Sequence, residues 1–278
     1  MISLILGILT SAMVAISMRI AQPRVNYPTG FLAVNYIVCS LFALVLFAPE
    51  LRTISVSHLS VPVGLGVLNG IIYLTGFLVM QWNIRHNGVV LSSAFMKLGI
   101  LVPTLLSVVW FHEVPTVLQV IGFLVAIAAI ITINFQKGLK FSRSSWLLLV
   151  LLILGGTGDG LSKVYEVYGD PAYKNFFLFF TFFCALILCA LLLAYKKERI
   201  GWKELAYGTL LGIPNYLSTF FLLKSLSTVP AVIAFPTYSV GVILVVCLTG
   251  VLLFRERLNR RQIIGGLMIC AALILLNV

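Results

Sequence analysis

The chain is 278 residues long, 61% apolar and only 10% charged, with a mean hydropathy of +1.11. A soluble domain carries roughly a quarter charged residues to solvate its surface, so this composition excludes a soluble globule and requires lipid over most of the exterior. The excess of 19 Lys and Arg over 8 Asp and Glu then belongs in loops between apolar spans, where it sets orientation, and calls for no nucleic acid.

A helix crosses the hydrocarbon layer in about 20 residues. Cutting the chain at its charges and Pro/Gly clusters predicts ten spans, at about 2–20, 29–49, 60–82, 88–111, 116–135, 144–166, 173–195, 203–223, 230–254 and 262–278. The first is expected to stay in place, since no basic n-region opens the chain. Apart from Arg19, Lys174, Lys203 and Glu204 at span ends, the charges inside spans are Lys97, Asp159, Lys163 and Glu166. Pro103, Pro214 and Pro236 fall within spans and are candidate kinks, tolerated where neighbours satisfy the freed carbonyls. Cys39, Cys184, Cys189, Cys247 and Cys270 all sit in apolar runs without metal or redox spacing and read as small buried hydrophobes.

A shift of 143 residues superposes the two halves: Phe111, Glu113, Gln119, Gly122, Ala129 and Asn134 fall on Phe254, Glu256, Gln262, Gly265, Ala272 and Asn277, and Tyr73 falls on Tyr216. The organisation predicted is a first repeat over 1–136, a cytoplasmic linker over 137–143 and a second repeat over 144–278. Five spans is an odd number, so the second repeat enters the membrane from the opposite side and the repeats are inverted. The fold class is therefore all-α integral membrane, with ten transmembrane helices in a five-plus-five inverted repeat. Fourteen Lys and Arg lie in the odd-numbered connections against Arg52, Lys174 and Lys224 in the even ones. The positive-inside rule then puts the odd loops in the cytoplasm and both termini outside, in the inner or plasma membrane of the cell.

Ten short spans, the inverted duplication and the twice-occurring Phe-x-Glu-x5-Gln-x2-Gly resemble the drug/metabolite transporter superfamily, specifically its EamA-type members. The resemblance covers essentially the whole chain. It implies a secondary transporter of small metabolites with its substrate cavity between the halves, and names no substrate.

Lys97 lies about nine residues into the fourth span, roughly 14 Å deep at about 1.5 Å per residue. A cation there costs about 2.5–3.5 kcal/mol on insertion scales, so it should face a wet cavity or a partner. Asp159, Lys163 and Glu166 are spaced i, i+4, i+7 on one stripe of the sixth span. Asp159, flanked by Gly158 and Gly160, is the carboxylate nearest the midplane, and a partly desolvated carboxylate suits proton exchange. The competing reading pairs Asp159 with Lys163 and leaves Glu166 as a solvated end. Tyr73 and Tyr216 are repeat equivalents at mid-span, with Asn69 and Gly212 one turn before them. Asn35, Asn215 and Tyr238 are weaker candidates by the same logic. The substrate-binding set expected is thus Lys97, Asp159, Tyr73, Tyr216, Tyr238, Asn215, Lys163 and Asn35. Glu113 and Glu256 read as residues that begin the last helix of each half and complement its dipole. The small residues Gly122, Ala126, Ala129, Gly265, Gly266 and Ala272 suit close contacts between spans or between protomers, which leaves a homodimer open.

A mixed cation and carboxylate lining favours a polar or zwitterionic solute such as an amino acid or sugar derivative, with protons as a coupling partner. Export of lipophilic cations, as by the small multidrug members of the superfamily this chain resembles, implies a carboxylate in the first span; residues 2–20 hold none, which lowers that alternative, while Asp159 in the repeat-equivalent helix keeps it open. A membrane enzyme or flippase acting on lipid-linked groups is disfavoured too, since His58, His86 and His112 are scattered and no nucleotide loop, metal-ligand set or nucleophile–base pair is found. No cofactor is expected.

Overall fold

The computed structural model describes residues 1–21, 23–48, 59–87, 92, 95–96, 98–134, 146–254 and 260–277. Among these the chain forms ten α-helices: α1 (Ile2–Ala21), α2 (Pro28–Phe47), α3 (Ser60–Asn87), α4 (Leu101–Val109), α5 (Val117–Asn134), α6 (Trp146–Tyr168), α7 (Lys174–Lys196), α8 (Trp202–Leu226), α9 (Ala231–Phe254) and α10 (Arg260–Leu276). A 3-10 turn, Pro171–Tyr173, leads into α7. Six of the helices are long and apolar enough to cross a membrane, and α5 is a shorter apolar one. Lys203, Glu204 and Lys224 at the ends of α8 make it less apolar than these.

Breaks fall where backbone chemistry requires them. Pro28 opens α2 in the first turn, where its missing N–H costs nothing. In the fourth span Ser92, Phe95, Met96 and Leu98 are helical, and a turn at Gly99 and Ile100 precedes α4. Pro103 has no N–H to offer the Gly99 carbonyl, which is taken instead by Val102 N–H at 2.9 Å. Pro214 and Pro236 lie inside α8 and α9 without ending them.

By packing, the residues form two compact units. Unit I comprises Ile2–Leu74 and Val164–Lys224; unit II comprises Thr75–Lys163 and Ser225–Val278, with Met1. Each draws on both halves of the sequence.

Unit II is organised around α5 and α10, whose buried Ala126, Ala129, Ile130, Ile269 and Ala272 form a core with Leu98, Val240 and Ile243. Between apolar helices in lipid the attraction is van der Waals packing, so close backbone approach decides the contact. Two glycines supply it reciprocally: a Cβ on Gly122 would meet Leu275 Cβ at 3.0 Å, and one on Gly265 would press on Ile133 and on the Ala129 carbonyl. Gly266 has open space around it. In the same unit Gly99 and Gly156 let the approach to α4 cross α6, and a Cβ on Gly156 would fall 2.6 Å from Val102 Cβ.

Unit I uses the same device twice. Gly208 and Gly212 on α8 bring it onto α2, where added Cβ atoms would meet Val34 Cβ at 2.6 Å and Val38 Cβ at 2.7 Å. Gly66 and Gly70 on α3 bring it onto α7, against Phe180 Cβ and Cys184 Cβ, each at 2.8 Å. In both helices the glycines are four residues apart, one turn along a single face.

Candidate functional site

In unit I the Gly212 contact draws α2 and α8 close enough for their mid-helix amides to meet. Asn215 Nδ2 donates to Asn35 Oδ1 at 3.1 Å, and Cys39 Sγ donates to the Gly212 carbonyl at 3.3 Å. Asn35 is 1% exposed, so the pair satisfies a polar group that the apolar interior would otherwise penalise. An aromatic relay lies in the same unit: Tyr73 stands edge-on to Phe182 at 6.1 Å, and Phe182 is 6.0 Å from Tyr216. Tyr216 is fully buried and also meets Phe42 and Phe220, each at 6.1 Å between centroids. Tyr73 and Tyr216 are thus joined through one ring of α7.

Two buried groups of unit I stand out. Asn69 is 0% exposed and neither atom of its amide has a hydrogen-bond partner among the described residues; the buried Ser40 hydroxyl is likewise unpaired. Asn69 was visible in the sequence only as a neighbour of Tyr73, and Ser40 carried no signal, since a serine in an apolar helix usually bonds its own backbone.

In unit II Lys163 of α6 is paired with a carboxylate from the loop before α5. Lys163 Nζ lies 3.0 Å from Glu113 Oε1, with the Phe111 ring 5.6 Å beneath the ammonium. The second oxygen, Glu113 Oε2, accepts the Val232 N–H at 2.8 Å. Glu113 therefore caps α9, not the helix that follows it, which corrects the reading from the motif. That following helix, α5, is started by a reciprocal capping box: Thr116 N–H donates to Gln119 Oε1 at 3.0 Å and Gln119 N–H to Thr116 Oγ1 at 3.3 Å. Asp159 and Tyr238 are half-buried in this unit and each is engaged with a neighbour.

The cap on α9 has a counterpart in unit I. Glu198 accepts from Thr29 N–H at 2.9 Å and from Thr29 Oγ1 at 3.1 Å, at the start of α2, where Lys196 Nζ donates to the same hydroxyl at 3.3 Å. Glu204, 1% exposed, accepts from the amides of Asn26, Tyr27 and Gly201. Among the described residues, two non-glycine residues have positive φ, His112 and Lys197, both at 53°. Each immediately precedes a capping carboxylate, Glu113 or Glu198. A left-handed turn is what swings the chain back from the end of one helix onto the start of another.

Of the eight expected site residues, Asn35, Tyr73, Asn215 and Tyr216 lie together in unit I, and Asp159, Lys163 and Tyr238 lie in unit II. Lys97 falls outside the described residues, as does Glu256. None of the five cysteines forms a disulfide. An open groove of about 430 Å3 in unit II, lined by Leu78, Val79, Trp82 and Leu147, is apolar apart from the Trp82 indole and includes none of these residues.

The comparisons with known proteins agree with this architecture. A protein of Haemophilus influenzae described as uncharacterised is 23% identical over 276 residues, covering 95% of this chain and 93% of that one. A solved protein structure with 12% identity matches at a TM-score of 0.78 over 99% of this chain and 98% of its own, which shows a shared fold. The family model for EamA-like transporters matches twice, over residues 1–135 and 143–278. This chain is a multi-pass membrane protein that belongs to the EamA-like transporter family, within the drug/metabolite transporter superfamily.

Proposed function

We propose that the protein is a secondary active transporter of a small polar or zwitterionic metabolite, an amino acid or sugar derivative, coupled to protons. Its ten spans form two inverted five-span repeats, 1–136 and 144–278, that work by alternating access. The observation that carries this reading is the double family match, one copy to each half of the chain. The packing supports it: α5 and α10, repeat equivalents, meet through equivalent glycines, while α3 meets α7 as α8 meets α2. Both termini face outside in the cell membrane, on the strength of the loop charges.

Asn35, Asn215, Tyr73 and Tyr216 are the solute-facing polar groups of unit I in this reading. A buried amide pair and phenol hydroxyls in lipid-embedded helices are expensive unless they serve a polar ligand or each other. Asp159 carries the proton. Lys163 has a structural partner in Glu113, so it tunes the site through that ion pair.

The test is flux through proteoliposomes loaded with labelled amino acids and sugars. Saturable uptake with counterflow supports a carrier, and linear flux or none for every solute tried would overturn it. Asp159→Asn should lose accumulation driven by a pH gradient while keeping counterflow, since exchange of solute requires no proton release. Unchanged gradient-driven accumulation would remove Asp159 from proton coupling.

A further inference from the structure

We propose that Asn69 is a solute-binding residue of unit I and that the group it receives is uncharged, a hydroxyl or amide of the carried solute. The proposal rests on the transporter reading and names the chemistry of its site.

Asn69 brings a donor and an acceptor into α3 and uses neither on the protein. A primary amide moved from water to an apolar environment without a hydrogen bond costs about 2–7 kcal/mol. A leucine of similar volume would avoid that cost. The position is also held firmly. Gly66 and Gly70, three residues before and one after, press α3 onto the Phe177 carbonyl and Cys184 of α7, and Tyr73, one turn on, is set edge-on against Phe182. With α3 held in this way, the unused amide is available to a group from outside the helix.

The surroundings limit what that partner is. Between their ends, the described helices of unit I carry no ionised side chain: its Lys, Arg, Asp and Glu residues all lie at helix termini or in connections. An anion or cation deep in this unit would find no counter-charge, whereas a hydroxyl or amide would find the unpaired amide of Asn69. Any charge on a zwitterionic solute then belongs with groups other than these.

Thiol chemistry tests this in the intact protein. In a chain whose five native cysteines are replaced, Asn69→Cys should react in membranes with 2-hydroxyethyl methanethiosulfonate. It should do so at least tenfold faster than with the sulfonatoethyl reagent, after normalising to a free thiol in solution. Leu74→Cys, buried on the same helix, should react with neither. Equal normalised rates at position 69 would overturn the preference for an uncharged group. No reaction at 69, or a rate matching that at 74, would overturn the site. Separately, Asn69→Leu should keep or raise the melting temperature in detergent, and a drop of several degrees would make Asn69 a packing residue and sink the proposal. Neither measurement involves flux, so failure here is distinct from failure of transport, which the wild-type proteoliposome assay reads.

Discussion

Glu113 holds Lys163 by an ion pair of 3.0 Å with one carboxylate oxygen and caps α9 through the Val232 amide with the other. One side chain from a connecting loop thereby fixes α6 and α9 at once. Removing one member of a buried pair costs about 3–5 kcal/mol because the other charge is stranded. Glu113→Ala should therefore lower the melting temperature strongly. Glu113→Gln, which keeps an acceptor for Val232, should lower it less, and Glu113→Ala combined with Lys163→Met should recover part of the loss. A double-mutant cycle by thermal unfolding in detergent reads all three, and strict additivity would mean that the pair does not couple the two helices.

The glycines divide into those in contact and one that is free. Gly156→Ala places a methyl group 2.6 Å from Val102 Cβ and should destabilise markedly. Gly266→Ala meets nothing within 4 Å and should stabilise α10 by about 0.5–1 kcal/mol through helix propensity alone. Opposite signs in thermal unfolding confirm the contacts, and the same sign for both would contradict them.

Lys197 closes α7 in a Schellman turn at φ 53°, with Glu198 N–H returning to the Leu193 carbonyl at 3.2 Å. A non-glycine residue in that conformation costs about 1 kcal/mol or more. Lys197→Gly should raise stability by about that amount, while Lys197→Ala should not. If both substitutions raise it alike, charge and not backbone strain is the cause.

Orientation follows from the loops. Cysteines placed at Arg143 and Arg261, in a chain without native cysteines, should resist an impermeant maleimide added to intact cells and react after permeabilisation. Labelling of either from outside would invert the topology. Lys97→Ala should insert and purify normally yet lose transport; full transport would take Lys97 out of the solute path.

Much of the fold was legible because lipid sets a hard length scale. Predicted spans and observed helices agree to within about two residues at most ends, as at 144–166 against Trp146–Tyr168. The exceptions are α3, which runs on to Asn87, and the fourth span, where a turn at Gly99 and Ile100 precedes α4 beside Pro103.

The sequence by itself determined a membrane protein, its span lengths and the twice-used Phe-x-Glu-x5-Gln-x2-Gly motif. Only the tertiary structure decided what that motif does. Phe111 lies under Lys163, Glu113 caps a helix more than a hundred residues away, Gln119 starts α5, and Gly122 receives α10. The same holds for the site: the structure set Tyr73 and Tyr216 on one ring, paired Asn35 with Asn215, and left the Asn69 amide unpaired. The reason is physical. In water, an amphipathic stripe shows which face of a helix is buried. In lipid both the exterior and the interior are apolar, so that stripe disappears and the facing partner of each residue is set by glycine contacts and polar pairings across the fold.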